Sequence, residues 1–319
     1  MINKLLNIKY PIIQGAMANI SDAKFAATVS NNGGLGIIAT GGMDLEMAKA
    51  AVLECKSLTD KPFGVNIMLL NPYVSEIVDM LVKEKVKVVT TGAGNPGPYI
   101  EKLKSVGTII IPVVPSVALA KRLEQANVDA IIVEGTEAGG HVGEQTTMAL
   151  LPQICSEVSI PVIAAGGIAD SRGLLAALSL GAQGVQVGTV LLSSEECMIH
   201  ENYKNLVIKA KDRDTIITGK TLNSPVRVYK NKMSKKYIEL EKQVASRDEL
   251  EHLTMGSLKK AVLQGDIDNG SFMMGQIAGL IKEVKPMNQI FEEMIYGSKL
   301  QYKKMDQKIQ GLINEECSN

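Results

Sequence analysis

Short runs of apolar, mostly β-branched residues recur along the first 190 residues, and amphipathic stretches with apolar positions three and four apart separate them. The runs Pro11–Gln14, Leu35–Ala39, Gly64–Met68, Val86–Thr90, Thr108–Val114, Ala130–Glu134, Val162–Ala165 and Gly184–Val187 predict strands. Between them, Asp22–Ser30, Leu45–Cys55, Val74–Lys83, Tyr99–Val106, Val117–Gln125, Thr147–Val158 and Ser171–Leu180 predict helices, and Gly181 suits the stop of the last one. The strands are nearly uninterrupted apolar runs. Burial on both faces, as in a parallel sheet wrapped by helices, accounts for that.

Eight strand–helix units over residues 11–187 predict a (β/α)8 TIM barrel rather than a doubly wound sheet. A doubly wound dinucleotide fold would also place GxGxxG after its first strand. Here that strand leads into Gly15-Ala16-Met17-Ala18. The repeat breaks after Ser194, which divides the chain into a barrel core (1–194), an inserted subdomain or lid (195–255) and closing helices (256–319) that include Gly275–Ile281 and Met287–Leu300. The insertion is rich in lysine (Lys204, Lys209, Lys211, Lys220, Lys230, Lys232, Lys235, Lys236), which reads first as a solvated face.

Charge narrows the partners. Lys+Arg and Asp+Glu both number 34, so net charge is zero and nothing general favours nucleic acid or an anionic membrane. No apolar run approaches the ~20 residues of a membrane span, and the N-terminus has no signal-peptide core. A soluble, cytoplasmic protein is expected. Cys55, Cys155, Cys197 and Cys317 are widely spaced and form no zinc-type pair, so they are expected as free thiols without a metal.

In a barrel, chemistry sits on the loops after the strands. Here those loops are glycine-rich. Gly166-Gly167 after strand seven and Gly188-Thr189 after strand eight occupy the place where barrels commonly hold phosphate. Asn66 ends strand three and Gln186 lies on strand eight. Each either reads a heterocycle's edge or satisfies nearby backbone. The chain has three histidines, and His141 follows Gly139-Gly140 just past strand six, where a proton-transfer group is well placed. His200 and His252 lie away from strand ends and are expected on the surface. Met68, Met273 and Met274 suit core filling or a pliable apolar pocket.

Several motifs together resemble a known family. Ile13-Gln14-Gly15-Ala16-Met17-Ala18, Gly33-Gly34-Leu35-Gly36, Phe63-Gly64-Val65-Asn66, Glu137-Ala138-Gly139-Gly140-His141, Ala164-Ala165-Gly166-Gly167-Ile168 and Gln186-Val187-Gly188-Thr189 are similar to the FMN-dependent nitronate monooxygenase superfamily. Thr90-Thr91-Gly92-Ala93-Gly94-Asn95-Pro96, Ile111-Pro112-Val113-Val114-Pro115-Ser116, and Gly270-Ser271 with Gly275-Gln276-Ile277-Ala278-Gly279 resemble its branch of flavin-type enoyl-acyl-carrier-protein reductases, the FabK-like proteins. The resemblance implies FMN with Gln14, Gly15, Ala16 and Met17 below its ring and Asn66, Glu134, Gly139 and Gly140 around it. Gly166, Gly167, Gly188 and Thr189 would hold its phosphate, with Gln186 and Val187 on the strand leading there. It further implies His141 as the catalytic histidine, NADH or NADPH as co-substrate, an acyl carrier protein bearing the enoyl thioester as partner, and a homodimer. A monovalent cation is a further candidate, since some relatives use one. The alternative activity is a nitronate monooxygenase using the same FMN with oxygen. A flavin- or phosphate-binding regulatory module is a third reading, but a binder has little need of a histidine beside the ring. Glu134 stands where many monooxygenase relatives carry Gln, and resembles the reductases. Asn19-Ile20, Val190 and Asn223-Ser224 depart from the reductase pattern, where an aromatic, an Arg and Gly-His are common.

Overall fold

The computed structural model describes residues 1–316. The expected (β/α)8 barrel forms from β1 (Ile12–Gln14), β2 (Gly36–Ala39), β3 (Phe63–Met68), β4 (Val88–Gly92), β5 (Ile109–Val114), β6 (Ile131–Glu134), then, past the two-residue β7 (Gly140–His141), β8 (Val162–Ala165) and β9 (Gly184–Val187). The barrel strands run parallel in the order β1-β9-β8-β6-β5-β4-β3-β2. A parallel bridge between Ile13 and Leu35 brings β1 back to β2 and closes the ring.

Strand periodicity sorts the side chains. Ile13, Leu35, Ile37, Val88, Ile111, Ala130, Ile132, Ile163 and Ala165 form one buried cluster, which fills the barrel interior. Their neighbours Ile12, Ile38, Val65, Val89, Ile110, Ile131, Val133, Ala164 and Val185 pack outward against the helices. Ile2 and Leu6, on a five-residue helix (Ile2–Leu6), join the interior cluster and plug the bottom. A helix that short leaves no readable periodicity. Small residues let the layers approach. A methyl on Gly36 would lie 1.8 Å from the Ala26 carbonyl oxygen in helix Ala23–Asn31. Gly36→Ala is therefore expected to destabilise the fold by ~3 kcal/mol or more, read as a lower midpoint in chemical denaturation.

Boundaries shift where turn chemistry intervenes. β4 starts at Val88 rather than Val86, because Lys85 adopts the left-handed conformation (φ 51°) and the Val86 N–H returns 3.0 Å to the Leu81 carbonyl to close the preceding helix. The helix expected over Tyr99–Val106 runs Gly97–Lys104, admitted by Pro98 in its first turn. Gly181 does follow the Ser171–Ser179 helix, with φ +103°.

After β9 come a 3-10 turn (Thr189–Ser193), helix Glu201–Lys209, the hairpin β10 (Thr215–Thr218) and β11 (Val226–Tyr229), and helices Lys232–Lys242 and Arg247–Thr254. Gly275–Ile281 is a 3-10 turn over Gln276–Leu280 rather than a helix, and the helix expected over Met287–Leu300 continues to Glu316. Of the eight lysines from Lys204 to Lys236, seven are exposed, as a solvated face requires, and Lys204 is the exception. Lys204 Nζ bonds the Ser194 and Glu195 carbonyls at 2.7 and 3.1 Å, and Lys232 pairs with Asp268 at 2.6 Å. His200 is not a surface residue: half-buried, it accepts the Asn202 N–H at Nδ1 (3.0 Å) and caps helix Glu201–Lys209.

Cys55 and Cys197 are buried, and burial pushes both thiols up to about 12, which leaves them unreactive. Cys155 is also a free thiol, and Cys317 lies outside the described residues. Among the described residues no helix is long and apolar enough to cross a membrane, and no three His, Cys, Asp or Glu side chains converge as metal ligands.

Candidate active site

The apolar filling of the barrel gives way to polar side chains at its C-terminal mouth. Counting by twos from interior residues Ile132 and Val88 places Glu134 and Thr90 on the inner face, and Asn66 and Gln186 follow from Gly64 and Gly184. A methyl on Gly64 would lie 2.7 Å from the interior Ile37 side chain, which confirms that parity. Asn66 Nδ2 donates to Thr90 Oγ1 at 2.9 Å, and its amide oxygen has no donor among the described residues. Thr90 was not apparent as a site residue from sequence, since threonine is also an ordinary strand former.

Gln14 behaves differently. Its parity is that of Ile12, so it points away from the interior. It is fully buried, donates to Ser21 Oγ (2.8 Å) and accepts the Ile37 N–H (3.0 Å). Its side chain fastens the β1–β2 seam instead of meeting a ligand. The chain beyond it does reach the mouth: Gly15 N–H donates to Val187 O at 2.8 Å, and Met17 lies against Gly188, where an added methyl would be 3.5 Å from its Sδ. Ala16 lies between them, exposed.

The phosphate-loop candidates follow the neighbouring strands β8 and β9. Gly166 and Gly167 have φ +86° and +74°, and a methyl on Gly166 would lie 2.8 Å from Gly135 O. The N–H groups of Gly166, Gly167, Gly188 and Thr189 have no acceptor among the described residues. Four amide donors left without acceptors on adjacent loops are the kind of groups that a cradle for an anion is built from. The Thr189 hydroxyl accepts the Gly275 N–H at 2.8 Å. It thus ties these loops to the segment after Phe272.

The Glu134–Gly143 loop is anchored at several points. Both Glu137 carboxylate oxygens accept the Thr147 N–H (3.0 and 2.9 Å) at the start of helix Thr147–Glu157, a favourable place for negative charge. Glu137 O accepts the Gln276 N–H at 2.9 Å. Gly139 packs on the backbone of Met274 and Gly275, where a methyl would come within 2.7 Å. Met274 is buried core, and a methyl on Gly140 would sit 3.6 Å from Met273 Sδ, so Met273 flanks the loop. Gly140 and His141 form β7, paired antiparallel with Arg227 and Val226 of β11. His141 is exposed but backed by protein, and that partial burial lowers its pKa below 6.5.

Glu134 has no hydrogen-bond partner among the described residues. Burial pushes its carboxyl up to about 7. Burial thus raises the Glu134 carboxyl toward neutrality and lowers the His141 imidazole, so near pH 7 the carboxyl is about half ionised and the imidazole is mainly neutral. The shift also bears on stability. An unfolded Glu titrates near 4.5. The protonated form is favoured in the fold, so stability is fully present below about pH 4.5 and is lost as pH rises through about 7. Discounted for the group's partial exposure, the loss is on the order of 1–3 kcal/mol. Glu134→Gln is expected to match the parent near pH 4.5 and exceed its denaturation midpoint near pH 8.5. A constant offset at both pH values would place Glu134 in a solvated setting.

The departures from the reductase pattern have local explanations. Asn19 and Asn223 take left-handed φ of 60° and 54°, conformations that asparagine tolerates. Val190 is buried at 6% exposure in the layer between barrel and helices, where an apolar side chain fits.

A (β/α)8 barrel with free amide donors on its last two loops and titratable side chains at its C-terminal mouth is an architecture common among enzymes. The nitronate monooxygenase model matches residues 1–78 and 71–297, and this chain belongs to that family of oxidoreductases. The structure of FabK from Thermotoga maritima is similar to it at 46% identity and a TM-score of 0.94, covering 96% of this chain and 98% of that one. A probable nitronate monooxygenase of Staphylococcus saprophyticus is 32% identical over 330 residues, covering 89% of this chain and 93% of the relative. A (3aS,4S,5R,7aS)-5-hydroxy-7a-methyl-1-oxo-octahydro-1H-indene-4-carboxyl-CoA dehydrogenase of Rhodococcus jostii is 37% identical over 227 residues. That match takes in 71% of this chain and 64% of the relative, so this chain spans just under two thirds of that protein's length.

Proposed function

We propose that this chain is an FMN-dependent enoyl-acyl-carrier-protein reductase that draws on NADH or NADPH. The observation carrying this reading is the 46% identity to FabK across 96% of the chain, against 32% to the nitronate monooxygenase relative. The cradle supports the cofactor: the N–H groups of Gly166, Gly167, Gly188 and Thr189 would hold the FMN phosphate, while Asn66, Glu134, Gly139 and Gly140 would border its ring. Bound there, FMN would supply hydride-carrier chemistry between the nicotinamide and the β-carbon of the thioester.

The chain's own residues supply the rest. Addition at the β-carbon builds negative charge on the thioester carbonyl oxygen, and backbone N–H groups of the glycine-rich loops stabilise it. His141 delivers the proton to the α-carbon, completing addition of one hydride and one proton across the double bond. For the carrier protein, Lys220, Lys235 and Lys236 offer positive charge on the β10–β11 turn and the adjacent helix. All three are exposed and outside any ion pair among the described residues.

The second reading, a nitronate monooxygenase, is favoured by the family model and the Staphylococcus relative. In it His141 acts on a nitronate, and oxygen is the oxidant. Under nitrogen, the reductase reading expects NADH or NADPH oxidation that depends on an added enoyl thioester and yields the saturated thioester. No such oxidation, with oxygen-dependent loss of a nitronate, would favour the second reading.

A further inference from the structure

Arg227 stands outside the barrel, on β11, and is buried at 5% exposure. Its backbone lies opposite Gly140 in the β11–β7 ladder. Its side chain turns to the other end of the same loop, where Nε and Nη2 donate to the Thr136 carbonyl at 3.0 and 2.9 Å. Nη1 reaches Thr215 Oγ1 on β10 at 3.2 Å. One residue thus holds both ends of Thr136–Gly140, the turn that presents His141. Glu137, within that turn, is fastened onto Thr147, and its carboxylate lies near enough to favour the guanidinium charge without an ion pair. A buried guanidinium bonded to a neutral carbonyl is a costly device for stability alone, because desolvating the charge is only partly offset. It does fix a planar fork on one acceptor, which sets direction as well as distance.

We infer that Arg227 is a positioning residue for His141: it fixes the Thr136–Gly140 turn and so sets where the imidazole stands at the barrel mouth. The kinetic consequence rests on the reductase reading, whereas the geometric one does not. A misplacement of about 1 Å can cost ~10²-fold in rate. Arg227→Ala is expected to slow anaerobic reoxidation of the reduced flavin by an enoyl thioester ~10–100-fold, with flavin reduction by NAD(P)H and FMN content little changed. The His141→Ala/Arg227→Ala double variant should be no slower than His141→Ala, since residues acting as one unit are not additive. Arg227→Lys keeps the charge but loses the fork, so it should fall between, and it serves in place of Arg227→Ala if that variant does not fold.

An independent readout comes from the imidazole proton resonances. With three histidines in the chain, the signals are few enough to assign. Those of His141 should move in the Arg227 variants while those of His200 and His252 stay. Unmoved His141 signals in a folded variant, or kinetic losses that multiply in the double variant, would overturn the inference. Moved His141 signals in a protein that never turns over an enoyl thioester would overturn the reductase reading and leave the positioning role standing.

Discussion

On the reductase reading, replacing His141 with alanine is expected to slow enoyl-thioester reduction by about 10²–10⁴-fold, the usual contribution of a general acid, while FMN remains bound. The separation follows from placement. The cradle lies on the loops after β8 and β9, and His141 lies on β7, held there by β11. Removing the imidazole leaves the four amide donors and the polar interior layer untouched. The pH dependence has a definite sign. Burial lowers the His141 pKa below 6.5, so the imidazolium population grows only as pH falls through that lowered value. Proton delivery should therefore quicken toward acid pH in the parent and lose that limb in His141→Ala. Stopped-flow reoxidation across pH 5–8 reads both, and full activity in the variant would remove His141 from the mechanism.

Gly166→Ala is expected to abolish or severely weaken FMN retention. Gly166 has φ +86°, and a methyl there would lie 2.8 Å from Gly135 O and 3.3 Å from the Ala138 N–H. The neighbours are backbone atoms of the His141 loop and cannot rotate away. The left-handed conformation costs a non-glycine residue roughly 1–2 kcal/mol, and the clash adds ~1–3 kcal/mol. The loop relieves both by moving, which takes the Gly166 and Gly167 N–H groups out of the cradle. A loss of ~3 kcal/mol in binding is over 100-fold in Kd. Gly311→Ala, on the exposed part of the last helix with nothing within 4 Å, is the control and should leave FMN affinity unchanged.

These features were not equally visible in the sequence. The barrel was legible because its strands are apolar on both faces and interrupted by polar residues only near their ends. Asn66, Glu134 and Gln186 stood out for that reason. Gln14 shows the limit of the same cue: it also ends a strand, but its parity with Ile12 turns it outward into the β1–β2 seam. Period-two counting along β1 would have separated it from the others. Thr90 was masked by its β propensity.

The parts that escaped depend on distant pairing. β7 is two residues long and exists because β11 lies beside it, some 85 positions away in sequence. Nothing local to His141 points to Arg227. The Thr189 hydroxyl fits a phosphate contact on local evidence, but it also receives the Gly275 N–H, 86 positions on. The lysines after Ser194 read as a solvated run, yet Lys204 is spent on two carbonyls that close the end of the 3-10 turn. Short elements, long-range hydrogen bonds and charges tied to backbone leave little periodic signal.

The reductase reading turns on which molecule delivers electrons to the bound flavin. Anaerobic mixing of the purified yellow protein with NADH or NADPH, followed by an enoyl thioester, tests it most directly. On the reductase reading, a nicotinamide rapidly bleaches the flavin and adding the thioester restores the colour. Bleaching by an alkyl nitronate alone, with the nicotinamides inert, would contradict that reading.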